Sequence, residues 1–133
     1  MKKSVLLVVS LVAVTLSTPA RAHSTLAKSE PADGAKLSAA PNEIRIWFTE
    51  PIKVGLSTIE VRDAGGKQVD RRDQRMDEKD RNLVRLSLSP PLIPGTYRVT
   101  WSAVAQDLHV TRGSFSFRVG PEKAGAFLQR SGD

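Results

Sequence analysis

The sequence predicts an all-β protein: an immunoglobulin-like antiparallel β-sandwich with Greek-key connections and about seven strands, following a cleaved signal peptide. Three observations predict it. Apolar and polar residues alternate at period two in stretch after stretch of the chain, the pattern of strands with one buried face. Proline and glycine turn signals separate those stretches, and no long helical periodicity interrupts them. In Leu92-Ile93-Pro94-Gly95-Thr96-Tyr97 a turn is followed by a tyrosine opening a strand, as in the tyrosine corner of such sandwiches.

The chain begins with an export signal. Lys2 and Lys3 supply positive charge, Val5 to Leu16 form an apolar run, and Ala20-Arg21-Ala22 is a small-residue cleavage site. The run is shorter than the ~20 residues that span a bilayer, so a membrane anchor is the poorer reading. Residues 1–22 are therefore expected to be removed and the protein to be periplasmic, with no membrane span once mature. That leaves 111 residues (133 less 22), enough for one domain over 23–120 and a tail, 121–133, that lacks alternation and is expected to be mobile.

A short first strand is expected near Ser24–Ser29, ahead of the turn at Pro31-Ala32-Asp33-Gly34. Ile44, Ile46 and Phe48 share one face of the next. Ser57, Ile59 and Val61 share a face before the turn at Asp63-Ala64-Gly65-Gly66, and a short strand is expected around Lys67–Val69. Val84, Leu86 and Leu88 line another strand. Tyr97, Val99, Trp101 and Ala103 line the next, and Phe115, Phe117 and Val119 the last. Trp47, Trp101 and most of the phenylalanines are assigned to the core.

After cleavage, 17 basic residues (20 less three) face 14 acidic ones, a net charge of +3. Arg71, Arg72, Arg75, Lys79 and Arg81 interleave with Asp70, Asp73, Asp77, Glu78 and Asp80, which reads as a solvated loop and a poor nucleic-acid footprint. Nucleic acid is excluded as a partner. Cysteine is absent, so a metal site must use nitrogen and oxygen donors.

The chain holds two histidines, His23 and His109. Cleavage after Ala22 would make His23 the first residue, whose free α-amine and imidazole Nδ1 can close a chelate ring on one metal ion. The precursor cannot do this, because that nitrogen is an amide. Asp107 lies two residues before His109, so in extended backbone both side chains leave the same side. Amine, two imidazoles and a carboxylate make an N3O set. Square-planar N/O ligation favours Cu(II), the strongest binder of the divalent series, over tetrahedral zinc. Taken separately, the triplet could be two solvated side chains and the histidine an accident of cleavage. All donors must be deprotonated, so affinity is expected to fall in acid.

Four segments carry a family resemblance. The opening His23-Ser24-Thr25-Leu26-Ala27-Lys28-Ser29-Glu30-Pro31-Ala32-Asp33-Gly34-Ala35, then Phe48-Thr49-Glu50-Pro51-Ile52, then Pro94-Gly95-Thr96-Tyr97-Arg98-Val99-Thr100-Trp101, and the closing Asp107-Leu108-His109 with Gly113-Ser114-Phe115-Ser116-Phe117-Arg118-Val119 resemble the CopC copper-resistance proteins in order and spacing. The resemblance implies a periplasmic β-sandwich that carries copper and is not an enzyme. It implies one Cu(II) per chain on His23, Asp107 and His109, with Glu50 either an outer-shell partner of a ligand or an exposed acid. It further implies a CopD-like inner-membrane copper transporter as partner. Leu108 stands where the family has a small residue and Val110 where it has proline. Some members bind Cu(I) through a methionine-rich segment; Met76 is the one methionine beyond residue 22, so only Cu(II) is expected here.

Two other function classes compete with the copper carrier. Copper monooxygenases also pair an N-terminal histidine with a second one on a β-sandwich, but this chain is short and lacks a flat aromatic substrate surface. A metal-free immunoglobulin-like interaction module is permitted by the fold alone.

Overall fold

The computed structural model describes residues 24–121. The expected signal peptide, His23 and the tail beyond Pro121 lie outside the described residues. Eight strands follow in chain order: β1 (Leu26–Glu30), β2 (Lys36–Leu37), β3 (Glu43–Phe48), β4 (Thr58–Arg62), β5 (Arg75–Met76), β6 (Leu83–Ser87), β7 (Gly95–Val104) and β8 (Val110–Val119), with one 3-10 turn at Val54–Leu56. They form two four-stranded sheets, ordered β1-β3-β6-β5 and β2-β8-β7-β4. Every pairing is antiparallel except β2 with β8, which run parallel.

The alternation in the sequence is the alternation of the structure. Ile44, Ile46 and Phe48 of β3 are buried with Val84 and Leu86 of β6; Tyr97, Val99, Trp101 and Ala103 of β7 face inward with Phe115, Phe117 and Val119 of β8. Burying such side chains stabilises by roughly 1.5–3 kcal/mol each. Aromatic pairs pack both within one sheet and between the two sheets. Tyr97 stacks on Phe117 at 5.5 Å between centroids, and Phe48 meets Trp101 edge-on at 5.6 Å. The Tyr97 hydroxyl donates to the Ile93 carbonyl, four residues back, which is the tyrosine corner expected from the turn.

Three local readings change. Trp47 is not a core residue: its neighbours Ile46 and Phe48 take the inner face, so its half-buried ring lies on the outer one. There the Lys28 ammonium sits 4.4 Å over the ring, and Nε1 donates to Asp80. Around Lys67–Val69 no strand forms. Gln68 makes an isolated bridge to Arg62, and Asp70 one to Leu88, because the chain is crossing from one sheet to the other. The charged run is not simply solvated. It contains β5, and Asp70 is buried, accepting from Val61 N–H at 2.9 Å and from Gln68 and Arg72. Those contacts satisfy a carboxylate that burial would otherwise penalise.

Candidate metal centre

The β7–β8 hairpin builds the site. Its register runs from Gly95 opposite Val119 to Val104 opposite Val110, and residues 105–109 connect the strands. Ala105 N–H donates to the His109 carbonyl, and Leu108 N–H donates to the Ala105 carbonyl, closing the turn. Such closure needs one residue in the left-handed region, and Leu108 takes it with φ +69°. That residue turns the chain so that Asp107 and His109 face each other. One Asp107 carboxylate oxygen accepts from His109 N–H at 3.1 Å, and the other lies 2.9 Å from His109 Nδ1.

A carboxylate in this pairing only accepts, so Nδ1 carries a proton, and in the neutral imidazole Nε2 is the nitrogen with the lone pair. This arrangement resembles a metal-ligating histidine oriented by a carboxylate. Nε2 points to the side of the ring away from Asp107. Direct ligation of one ion by Asp107 and by Nε2 therefore requires the carboxylate to release Nδ1. Both side chains are substantially exposed, which leaves them accessible to an ion from solution.

The same end of the sandwich receives the start of the described chain. Ser24 is 0% exposed. Its hydroxyl donates to the Glu50 carbonyl at 2.7 Å, and its own carbonyl accepts from the Thr111 hydroxyl. Thr25 N–H donates to Thr49 Oγ1, and Thr49 N–H donates back to the Thr25 carbonyl. Thr111 lies two residues beyond His109, on β8. The residue following His23 is thus fixed between the end of β3 and the start of β8.

Among the expected site residues, Asp107 and His109 are brought together and His23 lies outside the described residues. The Glu50 carboxylate is exposed and makes no hydrogen bond among the described residues; Glu50 contributes its main-chain carbonyl to Ser24 instead. Among the described residues, no three His, Cys, Asp or Glu side chains gather around a common point. Ser24, Thr49 and Thr111 were not singled out from sequence. The Thr111–Ser24 bond joins residues 87 apart, a pairing that no local pattern records.

Comparison with known proteins follows the same geometry. The CopC domain matches residues 26–120. The chain is 33% identical over 123 residues to "Copper resistance protein C" of Xanthomonas campestris pv. juglandis, covering 88% of this chain and 96% of that one. It is 28% identical over 127 residues to "Copper transport protein CutJ" of Bacillus subtilis, covering 96% of this chain but spanning only 24% of that longer protein. The crystal structure of PcoC, a methionine-rich copper resistance protein from Escherichia coli, superposes with a TM-score of 0.65 at 28% identity, covering 73% of this chain and 98% of that one. A match over nearly all the described residues, carried by the same sandwich, shows that the chain belongs to the CopC family of copper-related proteins.

Proposed function

We propose that this protein is a periplasmic Cu(II) carrier that takes up one ion per chain and either buffers copper or delivers it to a CopD-like inner-membrane transporter. In this reading residues 1–22 are the export segment, residues 23–120 the carrier domain and residues 121–133 a tail. The α-amine and imidazole of His23, the imidazole of His109 and the carboxylate of Asp107 supply the donors. Glu50 is at most an outer-shell partner.

One observation carries the proposal. The buried Ser24, held by Glu50 and Thr111, ties the chain at one residue from His23 to the end of the sandwich that bears Asp107 and His109. Successive Cα atoms are 3.8 Å apart, so a donor one residue before Ser24 is tethered within reach of that end. Preorganisation of this kind spares the ordering entropy that a mobile N-terminus would lose on binding. Relatives named for copper resistance and copper transport support copper as the ion.

The test is titration of metal-free protein with Cu(II), followed by electron paramagnetic resonance and by competition with a chelator of known affinity. A chain beginning at His23 is expected to bind one equivalent with a tetragonal signature. A chain carrying one extra alanine before His23 should lose more than the about 10–100-fold typical of an outer-shell change. Equal affinity in the two would overturn the N-terminal chelate.

A further inference from the structure

The two outer faces of the sandwich use their charges differently. On the β1-β3-β6-β5 sheet the cations are consumed in ion pairs. Glu43 lies 2.6 Å from Arg45 and 2.7 Å from Arg85, Arg85 also reaches Asp77 at 2.7 Å, and Arg75 reaches Asp73 at 3.2 Å. On the other sheet, alternation along β4, β7 and β8 turns Arg62, Arg98, Arg112 and Arg118 outward among serines and threonines. Glu60 is the acid on these three strands, and Arg62 lies 3.1 Å from it. Asp33 adjoins the β8 edge, where it accepts from Ser116 N–H. The Arg98 guanidinium donates to Ser114 Oγ, whereas the guanidinium groups of Arg112 and Arg118 make no hydrogen bond or ion pair among the described residues. A depression of about 500 Å³ lies between Arg98 and Arg112, lined by serine and threonine residues together with Trp101 and Glu60, the acid that pairs with Arg62.

Toward the Asp107–His109 loop this face becomes apolar. Val104 pairs with Val110 in the last row of the hairpin, and Val110 is 43% exposed. Leu108 at the tip and Leu56, on the 3-10 turn beside β7, are each 63% exposed. Leu108 also holds a left-handed backbone that disfavours a branched side chain, while its side chain contributes little to the core. An exposed apolar side chain kept at a strained position points to a use outside folding.

We infer that the outer face of β4, β7 and β8 docks on an anionic phospholipid surface. Arginine guanidinium groups match phosphate oxygens in paired hydrogen bonds, and the depression has room for a headgroup. The aliphatic side chains at one rim suit the boundary between headgroups and acyl chains, and the basic residues behind them suit the headgroup layer. A sheet face carrying dispersed cations, with exposed Leu56, Leu108 and Val110 toward the Asp107–His109 loop, matches a planar bilayer better than an acidic peptide, which needs a groove along its length. Docked in this way, the Asp107–His109 loop rests at the membrane surface.

The test uses metal-free protein beginning at His23, so its outcome does not depend on copper binding. Sedimentation with phosphatidylglycerol–phosphatidylcholine vesicles is expected to carry the protein down at low ionic strength. Pure phosphatidylcholine vesicles should not, and about 0.3 M salt should release most of it. Arg112→Glu with Arg118→Glu should lower partitioning about tenfold or more, and Leu108→Ser with Val110→Ser should lower it several-fold. Lys79→Glu with Arg81→Glu makes the same change in net charge on the exposed 77–81 turn of the other sheet and should leave partitioning within about twofold. Circular dichroism confirms that each variant is folded. Equal losses in the two double-charge variants, equal binding to neutral vesicles, or binding to poly-glutamate but not to vesicles would each overturn the inference.

Discussion

Leu108 and Thr111, three residues apart, act on the same loop in opposite ways. Leu108 strains it: a non-glycine residue in the left-handed region costs about 1–2 kcal/mol, against about 0.5–1 kcal/mol for the added chain entropy of glycine. Leu108→Gly is therefore expected to raise unfolding stability by about 0.5–1 kcal/mol, read as a shift of the urea midpoint at unchanged slope. Lower stability would mean that the Leu108 side chain packs more than its exposure indicates. Thr111 holds the loop to the start of the chain through the Ser24 carbonyl. Thr111→Val keeps the shape and removes the donor, so stability should drop by about 1 kcal/mol. If the bond positions His23, Cu(II) affinity should also fall about tenfold with an altered copper spectrum, and Thr111→Ser should restore both. A stability loss with unchanged copper affinity and spectrum would leave the bond a purely structural role.

At the scale of elements, the hairpin partners β7 and β8 depend on one absent side chain. Gly113 sits opposite Trp101, and a Cβ there would come 2.5 Å from the indole Cζ2. Gly113→Ala forces the buried ring to shift, costing about 1–3 kcal/mol and lowering the thermal midpoint. β5 and β6 are tied electrostatically instead. The Arg85 guanidinium, hydrogen-bonded to Asp77, holds that carboxyl below its ordinary value of 3.8. A lowered carboxylate pKa contributes stability above the unfolded value and loses it as pH falls through the folded one. Asp77→Asn should therefore destabilise the protein at pH 7 and lose that deficit in acid, below about pH 4, when stability is followed by urea unfolding at each pH. These elements also show what was legible. β3, β7 and β8 were readable because each has one buried face, which imposes period two on the residues. β2 and β5 were not, since two-residue strands carry no period. The 70–81 run misled because two of its carboxylates are satisfied from β6, a strand it folds against: Asp77 by Arg85, and Asp73 by Ser87 N–H. Trp47 misled because ring size suggests burial, while its parity in β3 places it outside. Of the candidate site, the Asp107–His109 pair was legible because its two polar side chains lie two residues apart. The seat that receives Ser24 was not, because Glu50 and Thr111 come from opposite sheets.

At the scale of the whole molecule, copper should act as a stabilising ligand if the proposed site is right. Binding to the folded state alone adds about 2.7 kcal/mol at a free concentration a hundred times the Kd. Thermal unfolding with Cu(II) should therefore show a clear upward shift for the chain beginning at His23 and a much smaller one for the chain extended by alanine. Equal shifts would indicate an ion held elsewhere. The buried Ser24 has a further consequence for how the protein is made. In the proposed reading, a cut one bond later would make Ser24 the terminus, leaving it on its Glu50 and Thr111 contacts but removing both His23 donors. A cut one bond earlier would leave the histidine nitrogen inside an amide. If residues 1–22 are removed as proposed, late products lose the His23 donors, early ones lack the free amine, and a single scissile bond yields the proposed chelate.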